Sequence, residues 1–266
     1  MSKLTGYIEG IGLIGPGLTD WPHAIRVLTG ELGYENQATV IPAPTALPAA
    51  ERRRCGAIVK LSLAVGYQAA AHAGADVAAL STVFAASGGD GVNCHEICQM
   101  LASDDRQISP TRFHNSVHNA AAGYWGIATG AMAPSSVLCA YDGSFGAGLL
   151  EALACVAADS IPTLLIACDT PYPEPLRTTR PIPNEFGVAL VLAPQQTERS
   201  QARIDVSLAA GTATPMTDAA LEQLRKAIPA ARSLPMLQAM AAREKARLVL
   251  DYLDSSLLAV ELSPCA

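Results

Sequence analysis

The chain has 266 residues, half of them hydrophobic, and a formal net charge of −6 at pH 7. This length and hydrophobic content suffice for one α/β domain with a large buried core, and they argue against disorder. The acidic balance argues against nucleic acid as a partner. No apolar stretch reaches the ~18–20 uninterrupted residues of a membrane helix, so no membrane span is expected.

The cysteines and the N-terminus indicate a cellular location. The seven cysteines are scattered through apolar segments and lack the spacing of a disulfide framework. The N-terminus lacks a basic region followed by an apolar stretch, so we expect no signal peptide. Both features favour a reducing, cytoplasmic location.

The chain begins with a predicted strand and a glycine-rich stretch. The segment from Gly10 to Gly15 has the spacing Gly-x-Gly-x-x-Gly. Dinucleotide-binding folds need a helix that starts within this motif, and Pro16-Gly17 interrupts it. We therefore predict a glycine-rich loop after the strand, and no cofactor is expected.

Two helices are predicted next, over about residues 20–28 and 49–73, where apolar residues recur at helical spacing. The first turn of the longer helix contains Arg52, Arg53 and Arg54. Cations at this end of a helix are disfavoured by about 0.3 kcal/mol each. The three arginines are interpreted either as a solvated helix start or as a docking patch for an acidic partner.

Two pairs of side chains have a spacing that also occurs in metal sites. Cys94 and Cys98 share a helix face, but no second pair of cysteines completes a tetrahedral zinc site. His114 and His118 also have helical spacing, but Asn115 stands where a zincin has its glutamate. We therefore expect cysteines packed as small hydrophobic residues and no bound metal.

The continuous apolar runs predict a sheet. Residues 77–86, 137–140 and 163–168 are predicted buried strands, with 137–140 in a central position. Residues 186–192 and 202–208 are predicted to pair as antiparallel neighbours. Helices at about 218–228 and 233–250 and a short strand near 257–262 complete the chain. The predicted fold class is therefore α/β, with one mixed sheet flanked by helices.

The stretch from Val137 to Gly146 has the pattern of a strand, a sharp turn at Asp142-Gly143-Ser144 and a helix start. This is the arrangement of a nucleophile elbow, which lifts one side chain out of the sheet beside the free N–H groups of the helix. Such an elbow normally presents serine or cysteine. Here the turn presents Asp142, a poor nucleophile for acyl transfer.

Ser144 offers a second interpretation of the same turn. The segment from Asp142 to Gly146 is close to the Gly-x-Ser-x-Gly elbow of serine hydrolases, although its first glycine is missing. That fold supplies its triad in the order serine, acid, histidine, and no histidine follows Ser144. Hydrolysis would therefore depend on His114 or His118 from upstream.

Four features lie in order between Ser109 and Glu151: Ser109-Pro110, Asn119-x-Ala121-Ala122-Gly123, Gly130-x-x-x-Pro134 and the elbow. Together they resemble the N-terminal half of β-ketoacyl synthases of the thiolase superfamily, and the correspondence runs without gaps over this stretch. Weaker similarity extends over about residues 5–210. The resemblance implies a thiolase-like half fold with a mixed five-stranded sheet and extra C-terminal helices. Residues 1–210 would be the ketoacyl-synthase-like domain, and residues 211–266 a helical extension packed on it.

Two departures from this family bear on activity. Counted from Pro134, the family's nucleophilic cysteine falls on Asp142, and Cys139 lies three residues earlier, inside the predicted strand, where we expect it to be packed. The family's condensing reaction also needs two histidines from a C-terminal half. No histidine follows His118, and the chain ends about where that half should begin. No catalytic residue is therefore expected.

With these departures, the chain resembles the chain length factor of type II polyketide synthases, which is a catalytically inactive relative of the ketosynthases. The chain is similar to the short proteins of this kind in aryl polyene pathways. The resemblance implies a heterodimer with an active β-ketoacyl-ACP synthase, paired through Val137, Leu138, Cys139 and Ala140. It further implies that the partner's acyl channel is reached by Phe113, His114, Val117 and His118. An acyl carrier protein would interact through this complex, with Arg52, Arg53 and Arg54 as a docking patch.

Three interpretations of the sequence stay open. The first is the non-catalytic ketosynthase partner. The second is an active acyl-transfer or hydrolytic enzyme that uses Ser144 or Cys139. The third is a self-associating half-thiolase scaffold of another function.

Overall fold

The computed structural model describes residues 3–265, and its eight strands form one mixed sheet. The strands are β1 (Leu4–Ile14), β2 (Ser81–Ala85), β3 (Ser135–Leu138), β4 (Thr163–Asp169), β5 (Phe186–Ala193), β6 (Ala202–Ala209), β7 (Ala246–Leu253) and β8 (Ser256–Pro264). They lie in the order β3-β2-β4-β5-β1-β6-β8-β7. β2 is parallel to β3 and β4, and all other neighbouring strands are antiparallel.

The helices are α1 (Trp21–Leu28), α2 (Ala49–Arg54), α3 (Ala57–Ala73), α4 (Gly91–Ala102), α5 (Pro110–His114), α6 (Ala120–Thr129), α7 (Ser144–Asp159), α8 (Leu176–Thr179), α9 (Ala219–Ala227) and α10 (Leu234–Ala242). Two short 3₁₀ helices span Tyr141–Gly143 and Pro229–Ser233. None of the helices formed by residues 3–265 combines the length and the apolar character that a membrane span requires.

Helices cover both faces of the sheet. On one face, α3 and α6 pack around Leu61 and Trp125. On the other, α1, α7 and α10 pack around Leu149 and Leu237. β4 and β5 are buried along their whole length because a strand covered on both faces exposes neither set of its alternating side chains.

The glycine-rich stretch lies inside β1 as far as Ile14, so the predicted loop is wrong. α3 crosses this strand at very short range. A Cβ atom at Gly10 would lie 2.1 Å from the carbonyl oxygen of Ala69, and one at Gly12 would lie 2.1 Å from that of Val65. Glycine is therefore needed here for close packing of helix on strand.

The sheet has eight strands, so the predicted number of five is wrong. The difference comes partly from β7, where a helix was predicted as far as residue 250. α10 ends at Ala242, because Arg243 has a left-handed backbone with φ 52°. Along β7, Leu248 and Leu250 are buried and alternate with more exposed residues, which is the period of a strand. The segment from residue 211 onward thus contributes a β-hairpin to the sheet as well as helices.

Two predicted strand positions are also wrong. β3 lies at the edge of the sheet and not at its centre. β5 and β6 are not neighbours, because β1 lies between them and pairs with both. The polar turn between β5 and β6 therefore crosses over the end of β1. Sequence proximity favoured a hairpin, but β1 and β5 have matching apolar faces that pair over seven residues.

The predicted helix over residues 49–73 is two helices. Cys55 has an extended backbone with ψ 134°, and Gly56 follows with ψ 179° as the N-cap of α3. The arginines at positions 52–54 consequently occupy the last turn of α2 and not the first turn of a longer helix. At the C-terminal end of a helix, cations are favoured by the backbone dipole.

Candidate functional site

The elbow has the predicted order of strand, turn and helix. β3 ends at Leu138, the 3₁₀ turn spans Tyr141–Gly143, and α7 begins at Ser144. Tyr141 carries the left-handed backbone of this turn, with φ 51°. The hairpin of β7 and β8 packs directly on the turn. A Cβ atom at Gly143 would lie 2.3 Å from the carbonyl oxygen of Tyr252.

Asp142 binds two arginine side chains. Its Oδ1 accepts a hydrogen bond from Arg180 at 2.8 Å, and its Oδ2 accepts one from Arg232 at 3.1 Å. The arginines are 14% and 19% exposed, and Asp142 is 40% exposed. Burial lowers the pKa of Arg180, but the hydrogen bond and charge of Asp142 outweigh it and raise the pKa above the usual value. Both carboxylate oxygens are therefore engaged in ion pairs.

Ser144 closes the turn from inside. The residue is 1% exposed. Its hydroxyl donates a hydrogen bond to the carbonyl oxygen of Tyr141 at 2.7 Å and accepts one from the N–H of Ala140 at 3.1 Å. A buried hydroxyl with both roles occupied has the geometry of a turn-stabilising group and not of an exposed nucleophile.

Cys139 lies one residue beyond β3 and is exposed. The prediction that it is packed inside the strand is therefore wrong. The strand ends early because residues 139 and 140 already begin the turn. The Cys139 thiol lies 3.4 Å from the carbonyl oxygen of Ser87, to which it donates.

A buried carboxylate behind the elbow was not found from the sequence. Asp169 is 3% exposed, and it accepts hydrogen bonds from the backbone N–H and hydroxyl of Ser87 and from the N–H of Ala230 at 2.8 Å. Burial raises the pKa of Asp169 to about 6, although these hydrogen bonds and the charge of Arg180 act in the opposite direction. The signal was a single acidic residue directly after the apolar run 163–168.

Two of the four predicted channel residues lie beside β3, and all four are on the surface. Phe113, His114, Val117 and His118 are all exposed, with Phe113 at 69%. Val117 and His118 line a cavity that also contains Val137 and extends to the buried Cys168. The cavity measures about 20 Å³, roughly the space for one water molecule. The chain by itself therefore has no room there for an acyl group.

Apolar side chains are exposed in the segments that lead into β3. Phe113, Val117, Ile127 and Met132 are 49% to 94% exposed. α4 lies in the same part of the chain, and Asn93 is its one buried residue. A helix with so little buried surface depends on its caps, and Asp90 accepts a hydrogen bond from the N–H of Asn93 at 3.0 Å. We call the surface with these exposed side chains the apolar face, and clusters of this kind are typical of protein interaction sites.

The predicted docking arginines lie next to this face. Arg52, Arg53 and Arg54 are exposed on α2, and Arg54 forms an exposed ion pair with Glu51 at 3.2 Å. The side-chain amide of Asn115 donates to the carbonyl oxygen of Arg54 at 2.7 Å, which ties α2 to the end of α5. The end of α2 that carries the arginines therefore lies beside the end of α5, near the exposed Phe113.

The histidines and cysteines singled out as metal ligands are separate. Cys94 and Cys98 are exposed on α4, so the prediction that they pack as hydrophobic residues is wrong. His114 packs edge-on against Tyr124, with ring centres 6.5 Å apart. Across residues 3–265, the histidine, cysteine and acidic side chains form no group of three suited to a metal ion.

Comparisons with known proteins identify the fold. A profile of the β-ketoacyl synthase N-terminal domain matches residues 30–251. The chain is similar to the structure of a ketosynthase, ApeO, in complex with its chain length factor, ApeC, from Xenorhabdus doucetiae. That match has a TM-score of 0.74 and 23% identity, and it covers 97% of this chain and 99% of the other.

Two further solved structures have the same fold. The ishigamide ketosynthase/chain length factor matches with a TM-score of 0.72 and 14% identity, over 98% of this chain and 100% of the other. A structure of a type II polyketide synthase acyl carrier protein in complex with its ketosynthase, AntDE:AntF, also matches. Its TM-score is 0.73 and its identity 10%, and the match covers 99% of this chain and 100% of the other. No curated protein matches the chain. These likenesses show a thiolase-like ketosynthase fold.

Proposed function

Because the chain belongs to the β-ketoacyl synthase family, through the N-terminal domain of that family, we propose that it is a non-catalytic ketosynthase-like partner, a chain length factor. It pairs with an active β-ketoacyl-ACP synthase in polyketide, polyene or fatty-acid-type biosynthesis. Solved structures of similar fold include ketosynthase/chain length factor complexes, which supports this role.

The elbow is the observation that carries the proposal. The position of the family's nucleophile holds Asp142, and both of its carboxylate oxygens are bound to guanidinium groups. A carboxylate neutralised in this way cannot accept the acyl group from a carrier-protein thioester. No histidine follows the elbow in the sequence to assist decarboxylation of a malonyl group.

The free edge of β3 supports pairing with another chain. The carbonyls of Pro134 and Leu138 accept hydrogen bonds at 2.9 and 3.3 Å from the N–H groups of Thr82 in β2 and of Ala86 directly after it. Alternate residues of a strand direct their backbone groups to the same side. The N–H and C=O groups of Ser135 and Val137 therefore point to the open edge, where a partner strand can bind them.

The partner also covers the apolar face beside β3. With Phe113, Val117 and their neighbours buried, we expect an obligate interface of about 2,000 Å² or more in total. The narrow cavity behind Val137 is too small for an acyl chain. The growing chain would therefore lie between the two proteins, with Phe113, His114, Val117 and His118 along its path.

The arginines of α2 extend this surface towards a carrier protein. Three adjacent exposed guanidinium groups form a positive patch on a chain whose net charge is negative. Such a patch attracts an acidic partner over about 8–10 Å at physiological ionic strength. An acyl carrier protein bound to the complex would contact Arg52, Arg53 and Arg54.

An active enzyme is the second candidate, and exposure of the Cys139 thiol is the observation in its favour. The isolated chain and its complex with the cognate ketosynthase are incubated with acyl- and malonyl-carrier protein. We expect co-purification as one complex and no condensation product from the isolated chain. Turnover by the isolated chain that Cys139→Ala abolishes would replace this proposal by the second candidate, and failure to co-purify would refute pairing.

A further inference from the structure

Tyr141 is an exposed aromatic residue on a backbone that such residues avoid. Its side chain is among the large hydrophobic groups on the surface, at 62% exposed, and its φ is 51°. Bulky residues adopt the left-handed region rarely, because Cβ approaches the following carbonyl oxygen. Glycine would fit this position without strain, yet the chain holds a large ring there.

The side chains beneath Tyr141 fix its orientation. The guanidinium carbon of Arg180 lies 3.7 Å from the centre of the tyrosine ring. Arg180 is in turn held by Asp142 at 2.8 Å, and Asp142 by Arg232 at 3.1 Å. One face of the ring therefore packs on Arg180, while most of the side chain stays exposed to solvent. An aromatic group ordered before association loses little entropy when it binds.

The surroundings of the ring have the composition of a contact surface. A pocket of about 590 Å³ separates Tyr141 from the tip of the β7–β8 hairpin and is lined there by Leu253 and Asp254. Leu253 is 48% exposed. Among the described residues, no basic side chain is within ion-pair distance of Asp254. An aromatic anchor beside an aliphatic group and a rim charge is typical of protein-protein hot spots.

We propose that Tyr141 is an anchor residue for the ketosynthase partner, which receives the ring in an apolar pocket and places a basic side chain opposite Asp254. The inference rests on the proposed pairing. Tyr141 is three residues beyond the end of β3, a reach of at most about 10 Å. A partner strand bound along β3 would thus continue past Tyr141, and the unpaired charge of Asp254 favours a basic group there.

The test compares variants that keep the left-handed backbone. Tyr141→Gly and Tyr141→Asn remove the ring at a position both residues tolerate, so the melting temperature should stay within about 4 °C of wild type. We expect their affinity for the cognate ketosynthase to fall about tenfold or more. Tyr141→Phe should bind as wild type does. Asp254→Asn should weaken binding at low salt and have less effect at high salt.

The possible results of these binding measurements distinguish failure of the anchor from failure of the pairing. Wild-type affinity of folded Tyr141→Gly and Tyr141→Asn would overturn the anchor and leave the pairing intact. Absence of any complex with the wild-type chain would refute the pairing itself. Weaker self-association of the two variants in sedimentation, with unchanged ketosynthase affinity, would assign Tyr141 to a contact between copies of this chain and also overturn the proposal.

Discussion

At the elbow, the side chain of Asp142 bridges two guanidinium groups that come from distant parts of the chain. Arg180 is 38 residues away in sequence and Arg232 is 90 residues away. Arg180 precedes β5 and Arg232 lies in the 3₁₀ helix before α10. Asp142 thus acts as a structural carboxylate that joins the turn to two later segments.

The first prediction concerns this carboxylate. Asp142→Asn should lower the free energy of unfolding by about 1–3 kcal/mol, because it leaves two largely buried guanidinium groups without an anion. The loss is smaller than for a fully buried pair, since Asp142 is 40% exposed. Urea denaturation measures it. The matched control is Glu261→Gln, which removes exposed pairs with Lys3 and Arg247 and should cost under about 1 kcal/mol. Equal losses would contradict the structural role.

Asp169 gives a pH-dependent prediction. Its folded-state pKa of about 6 lies above the ordinary value, so the folded protein binds the proton more tightly than the unfolded chain. The associated stability is present below about pH 4 and is lost as the pH rises through 6. Relative to Asp169→Asn, wild type should therefore lose about 2 kcal/mol between pH 4 and pH 7.

The measurement for Asp169 is urea denaturation of both proteins at several pH values across this range. Asp169→Asn is the reference because it has no titrating group, although it also loses one acceptor for the N–H groups of Ser87 and Ala230. That loss is constant with pH. A difference between the two proteins that does not change with pH would show that Asp169 keeps an ordinary pKa.

Among the elements, β3 is the shortest strand and has one neighbour. It spans four residues, and within the described part of the chain it pairs with β2 alone. The ladder to β2 uses the backbone groups of residues 134, 136 and 138, while those of 135 and 137 face outward. Pairing with another chain and pairing with β2 thus depend on different residues of the same strand.

This separation gives a prediction for β3. Val137→Pro removes an outward N–H without touching the ladder to β2, and proline is tolerated at such an edge position. We expect it to abolish co-purification with the ketosynthase while circular dichroism and melting temperature stay near wild type. Val137→Ala should retain the complex. Ser136→Pro should instead lower the melting temperature, because its N–H faces β2. Co-purification of folded Val137→Pro at wild-type yield would exclude strand pairing at this edge.

For the whole molecule, the two ends of the sheet differ. At β7, the N–H of Thr214 donates to the carbonyl oxygen of Val249 at 2.8 Å, and the Thr214 hydroxyl accepts from the N–H of Val249 at 2.9 Å. This contact covers part of the β7 edge. β3 has no such cover among residues 3–265, and the exposed apolar side chains lie beside it. One partner bound at the β3 end, as proposed above, would therefore complete the sheet without open-ended growth.

The C-terminal segment also acts at the scale of the whole chain. β7 and β8 extend the sheet from β6, and their hairpin packs against the elbow at Gly143. The sequence predicted two helices and one short strand near residues 257–262 in this segment. The strand is part of β8, and β7 forms where the end of the second helix was predicted, because its alternating apolar residues need a flat surface to bury them.

The local features of this protein could be predicted from its sequence. The continuous apolar runs at 163–168 and 186–192 are the buried strands β4 and β5. The change from an apolar run to a turn and then to an Ala- and Leu-rich segment correctly placed the elbow. These features are local because burial pattern, turn residues and side-chain chemistry are all fixed within about ten neighbouring positions.

The tertiary structure alone decided which elements and side chains meet. It placed β3 at the edge, inserted β1 between β5 and β6, and brought Arg180 and Arg232 to Asp142. Strand ladders and ion pairs join groups that are far apart in sequence, and periodicity carries no information on which strand or charge lies opposite. The same holds for Asp169, whose raised pKa depends on burial by helices and loops packed around the end of β4.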